Sequence, residues 1–245
     1  MEDDLICPAI FRGAPVTAFF TTRRTDRDFG DITRRTGVPG RLMYLPLQKH
    51  TDKIVLVESS LDQKVGDSVV TRRNDILIGV QVADCVPILM LDRKRRLAGA
   101  VHAGWRGTAE GILKKTIAFM SDRFFSDPAD ILIALGPGIR GCCYNVGQEV
   151  LDAVRRATGE GGYITGSGGI NSIDLSMANT LQARSMGIQE ANIWMSPDCT
   201  HCLPEKYHSY RFTRTHAGRQ FGFIGLTTGD AAKGRAAAGS RVSAV

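Results

Sequence analysis

ADCVPILMLDRKRRLAGAVHAGWRGT (residues 83–108) holds two apolar runs around a charged turn, the pattern of a β-hairpin. In an antiparallel pair, positions count down one strand as they count up the other. With Arg93-Lys94 as a two-residue turn, Asp92 faces Arg95, and a four-residue loop over 92–95 sets the same register; either brings Cys85 opposite His102. The two side chains then share one face, with Cα atoms about 4.5–5.5 Å apart. A one-residue slip would separate them. A thiol beside an imidazole is a nucleophile with its base, or two ligands of a soft metal such as zinc. The structural alternative is a buried cysteine near a hydrogen-bonded histidine.

What surrounds the hairpin favours a functional reading. His102 is followed by Ala103-Gly104-Trp105-Arg106-Gly107 and then by helical spacing. Gly104 and Gly107 let the backbone approach a ligand, and a helix start there offers N–H groups to an anion. Arg106 suits a bidentate clamp on phosphate or carboxylate. Trp105 either stacks on a base or packs in the core. Asp84 places a carboxylate beside Cys85, so the segment reads as a place that holds a charged small molecule.

Working outward, 42–48 and 53–58 read as strands flanking the turn that contains His50, and 67–71 and 76–82 as two more. Ala109, Ile112, Leu113, Ile117 and Met120 have the spacing of a helix over 108–120, with Thr108 as its N-cap. A strand is expected at 131–135, helices near 147–157 and 174–186, and strands at 192–195 and 220–226. No repeat or internal linker interrupts the chain. The expectation is an α+β fold, a mixed sandwich of β-sheets with flanking helices, as a single catalytic domain over 1–226. The Gly-, Ala-, Ser- and Arg-rich segment 227–245 is expected to be a disordered tail.

The chain has 245 residues, 43% hydrophobic and 23% charged, the profile of an ordinary globular protein. No apolar run approaches the ~20 residues of a membrane span. The start, Met1-Glu2-Asp3-Asp4, has no basic and apolar leader, so a cytoplasmic location is expected. Net charge is +6, but the basic residues are scattered and few aromatics lie among them, so nucleic acid is not expected as a partner. Nor is an obligatory protein partner evident. Six cysteines without an export signal are not read as a disulfide framework. Cys199-Thr200-His201-Cys202 has CxxC spacing, yet no second CxxC pair completes a structural zinc site and no thioredoxin-like pattern surrounds it.

QKH (48–50), GDSVVT (66–71), ADCVPIL (83–89), HAGWRGT (102–108), GPGIRGCCYNVGQEV (136–150) and CT…YHSYR…GR (199–219) occur in one order. Together they resemble the laccase-domain family, first labelled multicopper polyphenol oxidases and later recognised as purine nucleoside phosphorylases. The resemblance spans roughly 42–226 and implies a zinc ion on His50, Cys85 and His102. It also implies phosphorolysis of adenosine, inosine, guanosine and methylthioadenosine, and deamination of adenosine, with nucleoside and phosphate as small-molecule partners. Some bacterial members are instead described as peptidoglycan editing factors. Cys85, His102, His50 and Arg106 become the candidate catalytic residues. Gly104, Trp105, Gly107, Asp67, Asp84, Tyr207 and Arg211 are the candidates for contacting substrate. The chain departs from the family pattern before QKH, where a Ser-Leu-Asn stretch is absent, and at Asn145, where Glu commonly precedes Val.

Two other chemistries compete. A copper-binding polyphenol oxidase needs a His₂Cys blue-copper centre and a further cluster rich in paired histidines. The five histidines here, His50, His102, His201, His208 and His216, include no His-x-His pair, so copper is expected only as an alternative or adventitious metal. A metal-free cysteine hydrolase, or an editing amidase, would use Cys85 as nucleophile and His102 as base. A non-catalytic binder is the third class. His201, His208 and His216 read as surface or loop residues.

Overall fold

The computed structural model describes residues 5–25, 29–166, 169–214 and 217–227. Eleven strands and six α-helices are present among them, in the order β1 (Leu5–Ile6), β2 (Val16–Thr21), α1 (Gly30–Thr36), β3 (Met43–Tyr44), β4 (Ile54–Val57), β5 (Ser68–Thr71), β6 (Leu77–Val82), β7 (Val86–Asp92) and β8 (Leu97–Ala103). Then follow α2 (Trp105–Ala109), α3 (Ile112–Phe124), β9 (Ile131–Leu135), α4 (Gln148–Thr158), α5 (Leu175–Ser185), β10 (Ile193–Met195), α6 (Tyr210–Thr213) and β11 (Gln220–Leu226). Two mixed sheets result, β1-β2-β11-β6-β3 and β10-β9-β7-β8-β5-β4. None of the described helices is long and apolar enough to cross a membrane.

Alternation along β7 explains the layering. Leu89 and Leu91 point between the sheets, where they join Val69, Ala98, Ala100, Phe20, Ile78, Val80 and Ile224. Ile88 and Met90 point the other way, onto Ile112, Leu113, Ile117, Met120, Val154 and Ala178 of the helices. Both faces of β7 are covered, so its sequence is a continuous apolar run without polar alternation. On the far side of the first sheet, Phe19, Leu77 and Phe223 pack with Ile32 of α1.

The expected hairpin forms as β7 and β8, with a shifted register. Asp92 pairs with Leu97 and Pro87 with His102, two residues from the expected alignment. The cause lies in the turn. Asp92 Oδ1 accepts from the N–H groups of Lys94 (2.8 Å) and Arg95 (2.9 Å), and Arg96 takes φ 51°, which closes a four-residue loop over 93–96. A slip of two residues preserves the face, so Cys85 and His102 still lie on the same side. Cys85 itself precedes the strand and comes opposite Gly104.

Three further expectations are corrected. The helix over 108–120 is two helices, α2 and α3, divided where Gly111 adopts φ +67°. Thr108 is not an N-cap; Gly104 caps α2, and the buried Thr108 hydroxyl accepts from Asn179 Nδ2 at 2.9 Å. The strand over 42–48 contracts to Met43–Tyr44, since Pro46 has no N–H to donate to a ladder. The N-terminal region, to which no element is assigned above, supplies β1, β2 and α1. Beyond Thr227, the expected tail lies outside the described residues.

Leu89→Ala removes a side chain buried between the sheets and is expected to cost roughly 2–5 kcal/mol. Phe125→Ala, at a 75% exposed position, should cost less than about 0.5 kcal/mol. Urea unfolding of the two variants measures both; equal losses would contradict the layer assignment.

Candidate metal centre

Two places where the chain passes from one sheet to the other meet at one end of the sandwich. Between β3 and β4 the crossing carries His50, and between β6 and β7 it carries Ala83-Asp84-Cys85. Gln48 joins them, its side-chain amide donating to Gln81 O and accepting from Gln81 N, both at 2.9 Å. His102, near the end of β8, lies beside both. The ligand atoms of His50, Cys85 and His102 all fall within 4.8 Å of one another, and the two imidazole rings are 4.9 Å apart, edge to face.

The Asp67 carboxylate sets this geometry. It is fully buried just before β5 and accepts from the backbone N–H of Lys49 (3.1 Å), His50 (3.0 Å) and Thr51 (2.7 Å) and from the Thr51 hydroxyl (2.8 Å). Its Oδ1 also meets His102 Nδ1 at 2.8 Å. The carboxylate thereby holds His50 in its left-handed conformation (φ 57°) and fixes the tautomer of His102, leaving Nε2 as the ring's ligand atom. Burial pushes the Asp67 carboxyl up, but the hydrogen bonds from His102, Thr51 and Lys49 outweigh it and hold it well below the usual carboxylate range.

Asp84 does the corresponding work for Cys85. It takes φ 84°, and its carboxylate accepts from the Thr200 hydroxyl at 2.7 Å and from Arg211 N at 2.6 Å. Both oxygens are thus committed to the C-terminal loop. Gly104 is required where it stands, because a Cβ there would lie 2.9 Å from Cys85 Sγ and 3.3 Å from the His50 ring.

The charges act together. Burial alone would raise the Cys85 thiol, but the charge of His102 and hydrogen bonds from His102 and His50 bring it down to about 6. Burial alone would lower His102; the charge of Cys85 and hydrogen bonds to Asp67 and Cys85 raise it to about 9. The protein's own charges therefore favour a thiolate. A nitrogen, sulfur, nitrogen donor set, backed by a carboxylate on one imidazole, fits a borderline-soft divalent ion such as zinc.

A cavity of about 520 Å³ opens over the three side chains. Of the residues expected to touch substrate, Asp84, Trp105 and Arg211 line it, together with the candidate catalytic Arg106. Arg106 stacks on the Trp105 ring at 4.4 Å, and Arg211 lies 5.0 Å over the Tyr144 ring. Three expectations are corrected here. Asp67 lies behind His102 and does not form part of the wall. Gly107 is buried, with Ile112 packed where its Cβ would project. Tyr207 is buried in the core and donates its hydroxyl to Asp198 at 2.5 Å. The expected helix start is only the five-residue α2, whose dipole is small, so the arginines supply most of the positive charge.

Sequence reasoning missed Gln48, Gln81, Tyr144, Tyr210 and Arg219 in the wall. Gln48, Tyr144, Tyr210 and Arg219 lay within quoted motifs, but only the folded loops bring them to the cavity. Burial, with the nearby Cys85 charge, pushes the Tyr144 hydroxyl up to about 12, so it stays a hydrogen-bond donor. His201 packs edge-on to Phe212 and, like His208, joins no group of metal donors among the described residues. His216 lies outside them.

Residues 22–227 match the family described as multi-copper polyphenol oxidoreductase laccase. The chain belongs to this family. It is 37% identical over 179 residues to a purine nucleoside phosphorylase of Clostridium acetobutylicum, covering 72% of this chain and 74% of that one. It is also 32% identical over 203 residues to the adenosine deaminase RL5 of an unknown prokaryotic organism, covering 78% and 77%. Among solved structures, YlmD from Geobacillus stearothermophilus superposes with a TM-score of 0.83 at 26% identity, over 93% of this chain and 98% of that one. The family's fold, two mixed sheets with helices in a single α+β domain, is the one described above.

Because the fold favours ionised Asp67, the stability it contributes is complete above about pH 4 and is lost as pH falls below that value. Asp67→Asn should cost roughly 1–3 kcal/mol near neutral pH by weakening bonds to buried N–H groups. The gap from the parent chain should shrink in acid. Urea unfolding at about pH 7 and about pH 3 tests this; a gap that widens in acid contradicts the role given to the carboxylate.

Proposed function

We propose that this chain is a zinc-dependent purine nucleoside phosphorylase acting on adenosine, inosine, guanosine and methylthioadenosine, with deamination of adenosine as a second activity. The observation that carries the reading is the convergence of His50, Cys85 and His102 beneath a cavity with aromatic and guanidinium walls. The names of the relatives in Clostridium acetobutylicum and of RL5 support the same two reactions. The volume suits a nucleoside with phosphate, falling within the roughly 300–1,000 Å³ of small-molecule sites.

His50, Cys85 and His102 would hold the zinc, which would supply Lewis-acid polarisation from the coordination position that three protein ligands leave open. The chain's own residues account for the rest. Arg106, Arg211 and Arg219 neutralise phosphate and align it for attack on the ribose carbon. Arg211 and Arg219 are each anchored through Nη1 on backbone carbonyls, so their positions are set before substrate arrives. Trp105, Tyr144 and Tyr210 offer ring surface to the purine. The protonated Tyr144 hydroxyl is a neutral donor toward the departing base.

Incubation with adenosine, with and without phosphate, is read by product chromatography. Adenine plus ribose 1-phosphate reports phosphorolysis, and inosine reports deamination. Cys85→Ala should abolish both together with bound zinc. Arg106→Ala should raise the KM for phosphate about 10- to 100-fold, the value of a charge-assisted hydrogen bond of about 1.5–3 kcal/mol. Metal-replete protein that yields neither product from any purine nucleoside sinks the substrate assignment.

One observation favours a second reading. The lowered Cys85 thiol beside the raised His102 is the charge arrangement of a cysteine nucleophile and its partner, as in an amide-cleaving hydrolase or editing amidase. Activity that survives complete chelation would select it over the zinc enzyme.

A further inference from the structure

Four cysteines gather at a place the nucleoside chemistry does not use. Cys142 and Cys143 sit in the tight turn after β9, where Cys143 N and Tyr144 N both donate to Arg140 O at 2.9 and 3.0 Å. Cys199 and Cys202 sit in the loop after β10. Because β10 runs parallel to β9, both loops leave the sheet at the same end, and a bridge between Gly138 and Cys199 draws them together. Their sulfur atoms all lie within 4.8 Å of one another; Cys142 and Cys202 are 3.7 Å apart, Cys143 and Cys202 3.3 Å.

We propose that Cys142, Cys143, Cys199 and Cys202 bind one zinc ion in a tetrahedral, all-thiolate structural site distinct from the His50–Cys85–His102 centre. Zinc–sulfur bonds of about 2.3 Å place neighbouring sulfurs about 3.8 Å apart, close to the spacing found. A disulfide would need about 2.05 Å. An iron–sulfur cluster spreads four thiolates over more than one iron, so sulfurs on different irons lie farther apart than the 4.8 Å that encloses all four here. The Cys199 sulfur already has donors suited to a thiolate, with Arg140 N at 3.4 Å and the N–H groups of His201 and Cys202. Four sulfurs this close cannot share negative charge without a cation, so the thiols would release their protons to solvent as the ion binds. Cys142 and Cys202 are exposed, which leaves a path for entry.

The consequence reaches the cavity. Tyr144 follows the Cys142-Cys143 turn directly, and Thr200, beside Cys199, bonds to Asp84 next to Cys85. An ion on these four sulfurs would clip together two loops that carry the cavity wall, leaving an open position at the catalytic centre alone.

The test works in a Cys85→Ala background, which removes the thiolate of the other centre, so its outcome is independent of the reaction proposed above. Cobalt added to the metal-stripped full chain should bind at one equivalent through the four cysteines and give an intense thiolate-to-metal charge-transfer band. Adding Cys142→Ser and Cys202→Ser should remove that band. In the unmutated, zinc-replete chain, alkylation of Cys142 and Cys202 should be about tenfold or more slower than after chelation, despite their exposure. Unprotected cysteines, a Cys143–Cys202 disulfide found by mass spectrometry, or stoichiometric iron in place of zinc would each overturn the proposal.

Discussion

The Asp67 carboxylate, buried behind His102, gathers donors from two parts of the chain that are remote in sequence. Three consecutive backbone N–H groups and a hydroxyl reach it from residues 49–51, and an imidazole reaches it from β8. A buried carboxylate is costly unless it is fully bonded, and this one is, so the turn and the ring are locked around it. His50 keeps a backbone conformation unfavourable for a non-glycine residue because those bonds compensate the strain. The orientation of both histidines follows from that one ionised group.

The sandwich determines where such a group can be useful. Strands that change sheets must leave the ladder at the sheet ends, and two such crossings fall side by side here. Backbone outside the ladder can take positive φ, as His50 and Asp84 do, and so can turn a side chain in a direction that a strand does not allow. Asp84 extends the arrangement to the C-terminal loop through Thr200 and Arg211. Ligand donors therefore stand on a rigid floor made by two sheets, while the walls come from loops held by side-chain bonds.

The family's descriptive name concerns copper, but the donor inventory of this chain is narrower. Of five histidines, two reach the centre, and the described others lie elsewhere in loops. One sulfur and two nitrogens can hold a single ion and leave a coordination position open, which is the arrangement of a catalytic site of the zinc type. A trinuclear cluster would need several more imidazoles than these.

The strands of 83–108 and the face shared by Cys85 and His102 were legible because alternation, turn chemistry and apolar runs are local properties. Even the error in register left the face correct, since two residues is one full period of a strand. The single helix expected over 108–120 failed on one glycine, whose left-handed geometry no pattern of apolar residues reveals. The CxxC of 199–202 has no CxxC partner in the sequence because Cys142 and Cys143 are far away in number and adjacent to each other; parallel pairing of β9 with β10 makes them neighbours. Tyr207 matched a motif and proved to be core, whereas Tyr144 and Arg219, inside quoted motifs but given no role there, reached the cavity. Residue pattern thus suffices for most of the elements from β3 onward and for the α+β class, and resemblance to a family suffices to nominate three donors whose side chains do converge. Which side chains share a space, which carboxylate lies behind a histidine and which lies beside the pocket were decided by packing, since those contacts join positions whose separation along the chain carries no information about their distance in space.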